Sequence, residues 1–380
     1  MADTTAPDHP GHASGPVRVG WVTRLVASPA FQSWAARFPL TRPFVRREGE
    51  AMFDLVAGFC HAQILQAVVA FQIPQILMEE SPTVETLAHQ CAVPIDRMQI
   101  LLRGAAAIGL LKISRGGRVR LTTRGAALAG VPGLQGMIAH HDVLYRDLAD
   151  PVAFFKGETE TELAHFWPYV FGADGAKDPD VVQTYSALMS DSQSLVAEDT
   201  LATIKLHKVA HLMDVGGGTG AFLAAAGQKY RKVQMTLFDL PAVLPAAQDR
   251  FAALGLENRT TITPGSFRDD PLPQGADMIS LVRVLYDHSD ATVMQLLKAV
   301  HDALPVGGQV LVSEPMTGGD QPKRAGDAYF ALYCLAMRTG RARSAQEIGR
   351  MLNASGFYQV NTPTPRRAFV TSVVTAVKGQ

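Results

Sequence analysis

The residues best suited to chemistry lie in the C-terminal half of the chain. His211-Leu212-Met213-Asp214-Val215 is an apolar run closing on an acid, and Gly216-Gly217-Gly218-Thr219-Gly220 follows directly, ahead of Ala221-Phe222-Leu223. That order is expected of a strand ending in a tight turn at the start of a helix. Glycines there let a ligand approach the backbone, and the first helical amides are free to meet it. Gly216, Gly218 and Ala221 also satisfy the dinucleotide spacing, so spacing alone leaves the ligand open, and a turn with no ligand is the third reading.

Charge favours one ligand. Asp214 sits just ahead of the glycines, where it would repel a pyrophosphate and attract the cationic methionine end of S-adenosylmethionine. Val233 to Asp239 reads as a second strand ending in an acid, placed to bind ribose hydroxyls. Thr261 to Thr263 predicts a third strand, whose end at Gly265-Ser266-Phe267 should lie beside the adenine. A fourth is expected over Asp277 to Leu285, and a fifth over Gln309 to Ser313, ending at Glu314. Phe357 to Thr362 and Ala368 to Val377 read as a closing antiparallel hairpin, which nicotinamide enzymes of similar topology lack.

These elements define an α/β fold, a Rossmann-like class I methyltransferase sheet over residues 195–380. Ahead of it, residues 46–190 read as mainly helical, and 1–45 as a partly disordered arm anchored by Trp21, Phe31 and Trp34. Thr83 is a plausible N-cap for a short helix, and a second helix follows Pro94. Arg115-Gly116-Gly117-Arg118 then joins two strand-like runs in a tight hairpin. Helix, helix, hairpin is the layout of a winged helix. Its basic residues Arg97, Arg103, Lys112, Arg115, Arg118, Arg120 and Arg124 invite a DNA-binding reading, but packing or dimerisation accounts for them better.

Composition narrows the class. Hydrophobic residues make up 47% and charged residues 18%, which is globular. Lys plus Arg number 35, as do Asp plus Glu, and that balance argues against a dedicated nucleic-acid binder. Cys60, Cys91 and Cys334 are odd in number and scattered, so neither a disulfide framework nor a metal site is expected, and a reduced cytoplasmic compartment fits. The apolar stretch Ala51 to Met78 is interrupted by Asp54, His61, Gln63, Gln66, Gln72 and Pro74, a pattern read as a buried helix pair rather than a bilayer span.

Asp214 to Gly220, Phe238-Asp239-Leu240-Pro241, the Leu304 to Gly308 turn and Glu314-Pro315 together resemble the plant-type, metal-independent O-methyltransferases, over roughly residues 50–378. Leu144 to Leu148, Phe166 to Gly172, Arg283 to His288 and Gly326 to Arg341 resemble that family's carotenoid-modifying branch. The resemblance implies a homodimer whose helical region closes the partner's site, and an apolar carotenoid acceptor, with possible peripheral membrane contact for its uptake. It places Leu240 and Arg283 with Asp214, Gly216, Gly218, Asp239, Ser266 and Phe267 around the cofactor. A tetrapyrrole, polyketide or phenol acceptor is the alternative, and a winged-helix regulator a distant one.

This chain departs from the family at the chemistry. The usual His-Asp-Trp-Ser-Asp is Tyr286-Asp287-His288-Ser289-Asp290, so Tyr286 holds the base position. Glu314 matches one of two orienting carboxylates; the other falls near Ala342 and is missing. The expected assignment is His288 as proton acceptor, Tyr286 hydrogen-bonding the substrate oxygen and Glu314 holding either in place. His140 and His141 are rivals for the proton, and Asp287, Ser289 and Asp290 could simply cap the next helix. Phe154, Phe155, Phe166, Trp167, Tyr169, Met189, Tyr329, Phe330, Tyr333 and Met337 are candidates for an apolar tunnel, about half of them facing ligand.

Overall fold

The structure, a computed structural model, describes residues 19–166 and 192–379. Contacts divide the chain after Leu65 into two compact units. In the first, α1 (Trp21–Val26) and α2 (Pro29–Arg37) lead into α3 (Arg42–Ala70). Pro29 opens α2, and the Ser28 hydroxyl accepts the Phe31 amide at 3.3 Å. Trp34 stacks on Phe38. Most large apolar residues here face outward: Trp21, Leu40 and Phe44 are exposed, as are Met52, Phe53, Leu55, Val56 and Phe59. The expected buried pair over 51–78 is therefore only half right. Its second helix, α4 (Ile73–Glu79), buries Ile73, Pro74 and Leu77, whereas in α3 only Val68 and Val69 are buried and the large apolar residues named above stay exposed. By length and composition α3 could also cross a membrane.

In the second unit, α5 (Val84–Gln90) and α6 (Ile95–Ala107) precede the hairpin β1 (Leu111–Ile113) and β2 (Val119–Leu121), the helix–helix–hairpin order read from the sequence. Two basic side chains of this region are structural: Arg118 donates to the Ser81 carbonyl at 2.8 Å and Arg124 to the Ile108 carbonyl at 2.8 Å. Helices α7 (Thr123–Gly130), α8 (Leu134–Asp147), α9 (Pro151–Lys156) and α10 (Leu163–Phe166) follow, and α11 covers residues 192–203.

The seven-stranded sheet holds β3 (His211–Val215), β4 (Gln234–Asp239), β5 (Thr260–Pro264), β6 (Met278–Val282), β7 (Gln309–Glu314), β8 (Phe357–Asn361) and β9 (Ser372–Lys378) in the order β5-β4-β3-β6-β7-β9-β8. The first five run parallel, and β9 pairs antiparallel with both β7 and β8. Central strands are apolar on both faces because helices cover both. One face packs α14 (Asp290–Ala303) and α16 (Ala345–Ala354); the other packs α11, α12 (Ala221–Lys229) and α13 (Leu244–Ala253). A buried chain of hydroxyls, Thr200 to Ser313 at 2.6 Å and Ser313 to Thr371 at 2.8 Å, ties α11 to the sheet, and Arg367 clamps buried Asp199. α15 (Ala331–Met337) follows a π-helical stretch over Arg324–Phe330.

Two predicted strands are shortened. The last begins at Ser372, not Ala368. The fourth stops at Val282, because Arg283 takes a left-handed backbone (φ 59°) and Leu285–Asp287 wind into a 3₁₀ turn. That turn meets the inner face of Gly340, where any Cβ would overlap backbone atoms of Tyr286, Asp287 and His288. Gly340→Ala must push the turn away and should cost about 1–3 kcal/mol, as overpacking does. Thermal denaturation should show the loss, with turnover falling further than cofactor affinity; an unchanged melting temperature would mean the turn yields freely.

Candidate active site

The chain leaves β3, moves outward to β4 and β5, and returns on the other side at β6, so a crevice opens between β3 and β6 at their carboxyl ends. The glycine loop lies there. Gly216 (φ 70°), Gly218 (φ 57°) and Gly220 (φ 71°) are all left-handed. A Cβ on Gly216 would press on Val284 across the crevice, while one on Gly218 would meet no protein atom within 4 Å and project into open space. Asp239 organises the loop: its carboxylate accepts the amides of Gly218 and Leu240, each at 2.6 Å.

Asp214 is fully buried beneath the loop. One oxygen accepts the Ser280 hydroxyl at 2.6 Å, and the other has no partner among the described residues. Burial pushes Asp214 up to about 7, against the Ser280 bond, with the neighbouring Asp239 charge adding to the rise. Burial likewise raises Asp239 to about 6 although two amides oppose it. Two shielded carboxylates, an orphaned anionic oxygen and open space above Gly218 fit a cationic ligand such as S-adenosylmethionine. When bound, it supplies a sulfonium methyl for in-line displacement.

Ser266 and Phe267 follow β5 as expected. The Ser266 hydroxyl donates to Asp269 at 2.9 Å, and Phe267 meets the His288 ring edge-on with centroids 5.2 Å apart. His288 therefore stands beside the segment that follows β5. Its Nδ1 accepts from Arg268 at 3.0 Å, and burial together with the charges of Arg268 and Arg343 lowers it to about 4. Tyr286 lies elsewhere: its hydroxyl accepts from Arg283 Nε at 3.2 Å, and Arg283 also donates to Ser192 at 2.8 Å. Burial drives the Tyr286 phenol far above its ordinary value. Glu314 faces the backbone, accepting the Leu285 amide at 3.0 Å and the Tyr286 amide at 3.3 Å, its other oxygen without a partner among the described residues. Burial raises it to about 7, with Arg343 opposing.

One side chain that the sequence reading passed over, Arg343, completes the site. Arg343, wholly buried, donates to the carbonyls of Leu285 and His288 at 2.8 Å each and pairs with Asp290. Ser289 caps α14 by accepting the Thr292 amide at 3.3 Å. His140 and His141, on α8, bond Tyr333 at 2.9 Å and Tyr329 at 2.6 Å, and burial lowers both imidazoles, His140 to about 4. Of the tunnel candidates, Phe154, Tyr333 and Met337 pack in one core cluster, Phe330 rests against Tyr286, Cys334 and Ala342, and Phe155 is exposed. Trp167, Tyr169 and Met189, and the side chain of Phe166, lie outside the described residues.

Sheet order, glycine cradle and paired acids define a class I S-adenosylmethionine methyltransferase. The chain belongs to the O-methyltransferase domain family, whose pattern matches residues 145–358. It is 55% identical to the demethylspheroidene O-methyltransferase of Cereibacter sphaeroides, over 93% of this chain and 94% of that one. The protein of the same name from Rhodobacter capsulatus is 50% identical over 98% and 93%. In fold it is similar to human N-acetylserotonin methyltransferase solved with its cofactor, with a TM-score of 0.72 and 23% identity over 88% of this chain and 98% of that one.

Cofactor affinity should follow the two acids. A bound cation favours their ionised forms, so affinity for S-adenosylmethionine should weaken as pH falls through 7 toward 6 and level off above about 8. S-adenosylhomocysteine, with one positive charge fewer, should show a shallower dependence. Calorimetry across that range decides it; equal slopes for both ligands would remove the acids from the cation's neighbourhood.

Proposed function

We propose that this enzyme methylates the 1-hydroxyl of acyclic hydroxycarotenoids, as a homodimer in the cytoplasm that touches a membrane to collect its substrate. The observation carrying this is its high identity, along nearly the full chain, to two demethylspheroidene O-methyltransferases. The site supports it. A phenol, with a pKa near 10, can be served by an ordinary histidine base, whereas a tertiary alcohol is far less acidic, so its proton must leave during or after methyl transfer. Tyr286 in place of that histidine suits the second case. The division into an arm, a helical winged-helix dimerisation region and a catalytic domain belongs to the same reading, with Asp214, Gly216, Gly218, Asp239, Leu240, Ser266, Phe267 and Arg283 around the cofactor.

Pure enzyme offered a panel of hydroxylated acyclic carotenoids, simple phenols and a tetrapyrrole should methylate the carotenoids, with undiminished turnover in excess EDTA. Preference for a phenol would change the substrate class. Loss in EDTA with rescue by magnesium would change the catalytic class.

The arm supports the membrane contact. Residues 19–47 carry Arg24, Arg37, Arg42, Arg46 and Arg47 and no acid, among exposed Trp21, Trp34, Leu40 and Phe44. Aromatic residues beside arginines suit the surface of an anionic bilayer. The exposed apolar stretch of α3 supports the dimer. Sedimentation of free protein should give a dimer mass, and flotation should recover it with phosphatidylglycerol vesicles at low salt but not with phosphatidylcholine alone. A monomer, or equal recovery from both vesicles, contradicts the corresponding half.

A further inference from the structure

Four side chains on or against the turn after β6 are candidates to take the acceptor's proton, and their hydrogen bonds separate them. His288 accepts at Nδ1 from a guanidinium, which can only donate. Its ring proton is therefore on Nε2, and no lone pair is left for a substrate. Tyr286 keeps its proton, its oxygen taken by Arg283. Glu314 has no exposed surface and spends one oxygen on the amides of Leu285 and Tyr286.

Asp287 is different. It ends the 3₁₀ turn, and neither bland role open to it is its own: Ser289 caps α14, and Asp290 holds Arg341 and Arg343. Half-buried, its carboxylate accepts no hydrogen bond from any described residue. The charged and titratable groups facing it are Arg283 and Tyr286 on its own segment, Glu314 from β7 and Cys334 from α15. It stands one residue from the position the resemblance reserves for the base, on the turn that the Glu314 carboxylate anchors.

We propose that the Asp287 carboxylate takes the proton of the acceptor hydroxyl during methyl transfer. This rests on the methyltransferase reading above. The acceptor oxygen's lone pair forms the new bond to the methyl carbon, the old carbon–sulfur pair stays with sulfur as a neutral thioether, and the O–H proton passes to Asp287. A carboxylate and a sulfonium are thereby both neutralised. Burial pushes Asp287 up to about 8, with Arg283 opposing and Glu314 adding to the rise, so the group is a stronger base than an exposed aspartate yet ionises near neutral pH. Arg283 and Tyr286 position it.

The test is Asp287→Asn, which keeps shape and removes proton acceptance, with Asp287→Glu as the rescue. On a hydroxylated acyclic carotenoid, kcat should fall roughly 10²- to 10⁴-fold in the amide variant with the S-adenosylmethionine Kd within about twofold, and the glutamate should recover part of it. Wild-type kcat should rise with pH through 7 to 8, and the residual activity of Asp287→Asn should lose that rise. A readout without any acceptor keeps the two readings apart: calorimetry at pH 8 in buffers of different ionisation enthalpy. Wild-type enzyme should release a fraction of a proton on binding S-adenosylmethionine, as the cation ionises Asp287, and the amide variant measurably less. Turnover within threefold of wild type, a retained pH rise, or equal proton release would each overturn the assignment.

Discussion

The active site depends on one turn of backbone held between two buried charges. Where β6 stops, the chain must leave the sheet, pass the crevice and start α14 within eight residues, and Arg283 accommodates the change with a left-handed backbone. Glu314 holds the turn by its amides, and Arg343 holds it by its carbonyls. Burying a carboxylate and a guanidinium costs several kcal/mol per ion unless their hydrogen bonds are made, so both are committed to this stretch and neither is free for substrate. Gly340 closes against the same backbone, where there is no room for a side chain. Residues 285–288 are thus fixed from two segments distant in sequence, the end of β7 and the loop ahead of α16.

With the turn fixed, the acids sort by surroundings. Asp214, Asp239, Asp287 and Glu314 are all raised by loss of water, but their partners differ. Asp239 is spent on loop amides, and Glu314 on the turn. Asp214 keeps one oxygen without a partner among the described residues, beneath the glycines, where a positive charge would stabilise it. Asp287 accepts no hydrogen bond from any described residue. Similar side chains become a loop organiser, an anchor, a counter-charge and a proton acceptor.

What was legible in the sequence was local. The glycine loop, the acids at the ends of β3 and β4 and the closing hairpin each announce themselves within a dozen residues, because turn chemistry and strand burial are short-range constraints. The role of His288 was not legible. A histidine near a strand end reads as a base, and the guanidinium occupying its lone pair comes from Arg268, brought close by the fold alone. Arg343 and Gly340 carry no local pattern either, since their partners lie more than fifty residues away. The apolar stretch of α3 misled in the opposite direction: hydrophobicity alone predicts burial, yet Met52, Phe53, Leu55, Val56 and Phe59 are exposed.

The electrostatics give the base its rationale. At the start of the reaction the crevice holds a sulfonium and a carboxylate; at the end it holds a thioether and a carboxylic acid. Both charges fade together, so surroundings that solvate ions poorly favour the passage from ions to neutrals. An imidazole base would become a cation as the sulfonium is lost and keep net charge in the site throughout. Burial, with the charges of Arg268 and Arg343 adding, lowers His288 to about 4, which disfavours a further positive charge there. Around Tyr286 the wall is built of Cys334, Ala342 and Phe330, apolar enough to keep water away. A tertiary alcohol, which no neutral side chain can ionise beforehand, gains most from this arrangement, because its proton need move only as the oxygen acquires the methyl group and with it the acidity of an oxonium.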